Sequence, residues 1–376
     1  MNGWWRFLAV RGLRVCLLAL VLPAEGGDWP VYRGGPGLAG QVEARLPVPL
    51  ERRWVVKAGG AVQSSPVVAG GRVFFGSDDG SLRAVVLADG SNVWTTALGA
   101  AVEAAPLVVN GVVYVGAGEG LHAVDADTGI VRWTARTGGR IAGSANVVDD
   151  KKAGRTLIVV GSYDASLHAL DAANGSNVWK VAAGGYINGT PAVAGGLVVF
   201  GGCDMALRVV EAGSGAVQTN YPLNSYMPGS PAVVDGKAYL GHFGNEFLCI
   251  DLEQGKVLWR VESEGAPVFS APAVSSRRVL FGARDMKVHC INRFEGKEVW
   301  TFQAGADVDS SPVVAGDQVV FGSDDGWLYV VALEDGRKLW SYEIGAAIKT
   351  SPAVVDGMLL IGAGDGGVYA FGSARE

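Results

Sequence analysis

Seven carboxylates recur along this chain at intervals of about forty residues: Asp79, Glu119, Asp164, Asp204, Asp285, Asp325 and Asp365. Gly244 holds the fifth of the eight equivalent places. A ring of acids suggests calcium, but Ca²⁺ needs roughly six to eight converging oxygens, and these acids come one per repeat. Their carboxylates are expected instead to accept bonds from nearby backbone N–H groups or from a serine at the next strand start. His122, His168 and His289 share a single repeat position with Arg83, Arg208, Tyr329 and Tyr369. On separate repeats they cannot meet around one metal ion, so no metal site is assigned.

A second recurring set behaves differently. Three places ahead of each repeat's proline (Ala145 in the third repeat) stand Gln63, Glu103, Ala142, Asn188, Pro228, Phe269, Asp309 and Lys349. The flanks of these residues repeat, while the residues themselves do not. Variation on a constant frame is where recognition is grafted onto a fold. Gln63, Glu103, Asn188, Phe269, Asp309 and Lys349 are therefore the candidate binding residues of a rim. Trp327, just after an acid-bearing turn, is a candidate exposed anchor for a partner. No catalytic residue is assigned.

The frame that must position these groups is a repeat. Gly76, Gly116, Gly161, Gly201, Gly241, Gly282, Gly322 and Gly362 each end an apolar run, at spacings of 40, 45, 40, 40, 41, 40 and 40. Trp54, Trp94, Trp133, Trp179, Trp259, Trp300 and Trp340 keep the same beat, with Thr219 where the fourth repeat would have its tryptophan. In the first unit, Pro66 to Val68, Arg72 to Gly76, Leu82 to Leu87 and Asn92 to Ala97 read as strands A to D. Gly70-Gly71, Ser77-Asp78-Asp79-Gly80 and Asp89-Gly90 are the turns between them. Four antiparallel strands at this period describe a β-propeller blade, with the tryptophans as packing between blades.

The last repeat stops at Phe371-Gly372, without a strand D. Arg52 to Val56 resembles a lone strand D, forty residues before Trp94. An eight-bladed propeller is thus expected over residues 51–376, its last blade completed by the N-terminal strand, after an extension at 25–50. The five extra residues of the third repeat, around Asp149-Asp150-Lys151-Lys152, read as a solvated hairpin loop.

Residues 1–24 read as a cleaved signal peptide. Arg6, Arg11 and Arg14 precede the apolar run Val15 to Leu22, which is too short to span a bilayer, and Pro23-Ala24 offers a cleavage site. The chain is expected to be periplasmic or secreted. It is not expected to be lipidated, since Cys16 precedes the apolar run. Cys203, Cys249 and Cys290 are expected to be free thiols. The 376 residues are 49% hydrophobic, with 56 glycines, about twice the usual ~7% share, as many tight turns require. A formal charge of −6 with no basic cluster argues against nucleic acid as a partner.

The stretches Val124-Asp125-Ala126-Asp127-Thr128-Gly129 to Trp133 and Leu170-Asp171-Ala172-Ala173-Asn174-Gly175 to Trp179 resemble the repeat of quinoprotein-type propellers. So do Ser65-Pro66, Ser230-Pro231, Ser311-Pro312 and Ser351-Pro352. That PQQ-like family includes pyrroloquinoline quinone (PQQ) dehydrogenases and non-enzymatic BamB-like envelope proteins. Trp29-Pro30-Val31-Tyr32-Arg33-Gly34 is similar to the opening of exported members. The resemblance implies either a dehydrogenase holding PQQ with Ca²⁺ or a binding platform. Family alcohol dehydrogenases carry adjacent cysteines and long insertions; this chain has neither. The expected function is a non-catalytic, monomeric scaffold for an envelope protein or a small ligand at the channel face. The alternatives are a PQQ-dependent dehydrogenase, or a small-molecule or glycan-binding propeller using Tyr186, Tyr226, Phe269 and Trp327.

Overall fold

A computed structural model describes residues 27–374; the expected signal peptide and Cys16 lie outside them. Eight antiparallel sheets of four main strands form the blades of the propeller. The first blade runs Val67–Ala69, Arg72–Gly76, Ser81–Val86 and Asn92–Ala97. Strand A of each blade is innermost, and strands B to D follow outward.

The ring closes as the unpaired halves require. Glu51–Lys57 pairs antiparallel with Gly367–Gly372, from Glu51 opposite Gly372 to Lys57 opposite Gly367. The first strand of the propeller is therefore strand D of its last blade, which leaves no half-built sheet exposed at the seam.

Between blades, one large side chain fills the wedge. The indole N–H of Trp54, Trp94, Trp133, Trp179, Trp259 and Trp300 donates to the carbonyl of Leu87, Ala126, Ala172, Ala212, Arg293 and Leu333 in the next blade. The glycine of that neighbouring turn lies under the ring. A Cβ on Gly336 would come within 2.6 Å of Trp300, and its φ of 72° already favours glycine. At the fourth blade, where Thr219 replaces tryptophan, Tyr221 performs the bond, donating to the Leu252 carbonyl at 2.8 Å. Trp340 is only half-buried and packs on Tyr342 and Phe371.

The extension before residue 50 is part of the propeller, not a leader to it. Eight inner strands present unpaired backbone edges to the channel, and these edges need partners. Residues 29–42 supply them in blades one to seven by curling around the inside. Trp29 exchanges two backbone bonds with Val68 in the first blade. The N–H groups of Val108, Val193, Val233, Val274 and Val314 then donate to the carbonyls of Pro30, Pro36, Gly37, Ala39 and Gly40, at 2.7–2.9 Å. Asn146 of the third blade reaches the Pro36 carbonyl with its side chain, and Gln41–Val42 pairs in parallel with Val313–Ala315. Gly40 turns at φ 60°, where any Cβ would collide with the Arg33 guanidinium.

The third blade's extra residues form the expected hairpin, with an exposed turn at 151–154, but its first two acids are not part of the loop. Asp149 and Asp150 belong to strand Asn146–Asp150, and the turn begins at Lys151. Asp150 is buried, accepting the Ala153 N–H and pairing with Arg155, because the longer strand carries it beneath the turn. Cys203, Cys249 and Cys290 are free thiols; burial raises Cys249 to about 11 and Cys290 to about 12.

Candidate functional site

The loops from strand D to strand A and the turns from B to C meet on one face. There the eight members of the variable set, Gln63, Glu103, Ala142, Asn188, Pro228, Phe269, Asp309 and Lys349, all line one cup of about 180 Å³ on the propeller axis. Below them runs a narrower ring: Ser65, Ser144, Thr190, Ser230, Ser311 and Ser351. Tyr32 of the channel segment is the floor, its hydroxyl 3.2 Å from Ser311 Oγ and 3.3 Å from Ser351 Oγ. Trp327 does not join this group. It lies outside the cup, half-buried on the Tyr329 ring, because its place at the start of strand C turns it between blades.

The acids of the B-to-C turns look after their own turns. Asp79 accepts from the N–H of Gly59 and Ser81 and pairs with Arg83; although burial opposes ionisation, these partners hold its carboxyl down at about 2. Asp325 accepts from Gly305 N–H, Trp327 N–H and the Tyr329 hydroxyl. Asp285 meets His289 at 2.7 Å, and Asp164 meets His168 at 3.0 Å. Arg83, His168, Arg208, His289, Tyr329 and Tyr369 are thus partners of the acids four residues earlier, whereas His122 bonds to Thr134. Among the described residues no group of three or more His, Cys, Asp or Glu is placed to hold a metal ion.

The residue before each turn acid matters more for the rim, and the sequence reading passed over it. Asp78, Tyr163, Cys203, Phe243, Arg284 and Asp324 occupy that place; Tyr163 packs on Tyr186 and Arg140, and the others touch the variable set. Gln63 donates to Asp78, Asn188 to the Cys203 sulfur, and Phe243 meets Phe269 edge-on at 4.8 Å. Arg284 lies 3.8 Å from the Phe269 ring centre while gripping Asp309 through two bonds. Lys349 reaches Asp324 at 3.3 Å, and Arg140 pairs with Glu103. Burial raises the Asp324 carboxyl, Lys349 pulls it back, and the nearby Asp309 and Asp307 push it up again. Comparing neighbouring columns of the repeat, and not one column alone, would have exposed this second layer.

The rim divides into two arcs. Blades three to six carry Tyr163, Tyr186, Tyr226, Phe243 and Phe269. Tyr163 and Tyr186 stack at 4.8 Å, and Tyr186, Tyr226 and Phe243 remain 54%, 47% and 45% exposed. The remaining arc is charged, with Arg284, Asp309, Asp324, Lys349, Asp78, Glu103 and Arg140 in the contacts just described.

Comparison with known proteins follows this architecture. No curated protein sequence matches the chain. Among solved structures, BamB from Moraxella catarrhalis is 19% identical, with a TM-score of 0.74 over 87% of this chain and 98% of that one. Quinohemoprotein alcohol dehydrogenase from Comamonas testosteroni is 15% identical, with a TM-score of 0.78 over 94% of this chain and 82% of that one. The computationally designed Ika8 protein is 18% identical at a TM-score of 0.74, so likeness at this level speaks for the fold alone. The family model described as outer membrane protein assembly factor BamB matches residues 50–159, 143–267 and 244–375, and the chain belongs to that family.

Proposed function

We propose that this chain is an exported, non-catalytic propeller whose rim face holds a protein partner in the cell envelope. The observation that carries this reading is the row of half-exposed aromatics, Tyr186, Tyr226 and Phe243, on consecutive blades beside a charged arc. Large aromatic side chains left open next to ordered charge are the usual anchors of protein interfaces. Membership in a family described by outer-membrane assembly supports the envelope as its place.

The rim offers the quinone cofactor of the dehydrogenase neighbours little to hold it. Its three carboxylates need cations, yet at the rim Arg284, Lys349 and Arg140 are each committed to carboxylates. Two ring faces are also taken, since Tyr163 and Tyr186 cover one face of each other and Arg284 covers Phe269.

The test is a double variant, Tyr226→Ser with Phe243→Ser. Both residues are exposed, so the protein should melt as before while its envelope partner no longer co-purifies. Unchanged co-purification would defeat the rim reading. A rise in melting temperature with PQQ and Ca²⁺ would restore the dehydrogenase reading.

A further inference from the structure

The base of the cup has a chemistry that the rim above it does not share. Its hydroxyls are spoken for as acceptors: Ala105 N–H donates to Ser144 Oγ, Ser144 N–H to Thr190 Oγ1, and Thr190 N–H to Ser230 Oγ. Ala271 N–H donates to Ser311 Oγ, and Ser351 N–H to Ser65 Oγ. These bonds, at 2.8–3.0 Å, tie five pairs of neighbouring blades together. A hydroxyl that accepts in this way still has its own proton to give. Ser351 gives its proton to Tyr32, and Tyr32 and Ser311 share one, so the base presents mainly donors.

Behind it lies a positive charge with no counter-ion among the described residues. Arg33 is 1% exposed, and its guanidinium donates only to the carbonyls of Ser311, Pro272 and Pro312. Its Nε is buried without a partner among the described residues. Burial lowers Arg33 to about 10, which still leaves it charged at neutral pH. An unpaired buried charge is costly, and a nearby anion would relieve that cost. At the mouth, Glu103 and Asp309 are already matched by Arg140, Arg284 and Lys349.

We infer that the base of this cup binds a small oxyanion, such as a phosphate, held by the Tyr32 hydroxyl and the serine and threonine ring over the Arg33 charge. Ser65, Ser144, Thr190 and Ser230 keep a proton to give, as does one member of the Tyr32–Ser311 pair, and an oxyanion is the ligand that only accepts. The inference does not depend on what the rim above holds. The anion can be a free ion or the head of a larger phosphate ester.

The experiment is calorimetric titration of the folded chain with inorganic phosphate and with glycerol phosphate, at constant ionic strength in chloride. Saturable one-site binding is expected, weakened roughly tenfold or more in Tyr32→Phe, which loses one hydroxyl that bonds a charged ligand. Arg33→Met should abolish it. If that variant does not fold, Tyr32→Phe alone decides. Tighter binding of glycerol phosphate assigns the anion to a larger ligand, and equal binding assigns it to the free ion. No heat with either probe, or full-strength binding in Tyr32→Phe, would overturn the site.

Discussion

The hydroxyl of Tyr221 donates to the Leu252 carbonyl at 2.8 Å, in the place where six other blade junctions use a tryptophan indole. The junction needs a donor at a fixed reach, and two different rings supply it. Tyr221→Phe keeps the ring and removes only the donor, leaving the Leu252 carbonyl short of a partner. It should cost about 1 kcal/mol in urea unfolding. An unchanged midpoint would mean that this bond carries no weight between the blades.

The tryptophans should not be equivalent. Trp179 is buried and bonded, so Trp179→Ala should cost about 3–5 kcal/mol through the cavity it opens. Trp340 is half-buried, and the carbonyl at the equivalent place, that of Ser373, accepts from Arg53 instead. Trp340→Ala should cost clearly less in the same denaturant series. Equal losses would contradict the distinction.

His289 predicts a dependence on pH. Burial works against its charge, but bonds to Asp285 and Glu298 outweigh burial and raise its folded-state pKa. A raised histidine adds stability that is complete below its unfolded value of about 6.5 and fades as pH rises through the folded value. His289→Gln should therefore lose more stability at pH 5 than at pH 9. His168 has the opposite sign: burial lowers its pKa, so its contribution fades as pH falls below about 6.5. Chemical denaturation of His289→Gln at both pH values decides, and an equal loss at each would refute the assignment.

The channel segment should be as firm as the blades. Deleting residues 27–42 would strip bonds from Val108, Val193, Val233, Val274 and Val314. Hydrogen exchange at those amides should accelerate by several orders of magnitude, toward the rates of exposed backbone. Slow exchange after the deletion would show that the inner strands do not need the segment.

The strands, turns and closure were legible because each is written eight times, and repetition separates signal from chance. The variable set was legible for the converse reason, as an irregular column on a regular frame. Tyr32 and Arg33 were not, because they occur once. The stretch from Trp29 to Gly34 could be seen only as a family feature. Nothing in its local pattern announces that it starts a run whose carbonyls, from Trp29 to Gly40, complete the inner edges of six different blades. Arg284 and Asp324 were missed because their neighbours, the turn acids, drew the attention. Trp327 read as an anchor since its sequence place is a turn exit, whereas its ring folds back onto Tyr329.

The central claim is that recognition happens on the face bearing the cup. Photo-cross-linking in intact cells tests it most directly, with a photoreactive side chain at Tyr226 on the rim or at Ile130, which is 67% exposed at the turn between strands C and D on the other face. A discrete protein adduct from position 226, absent from position 130, is the predicted result. The same adduct from both positions, or an adduct from position 130 alone, would contradict it.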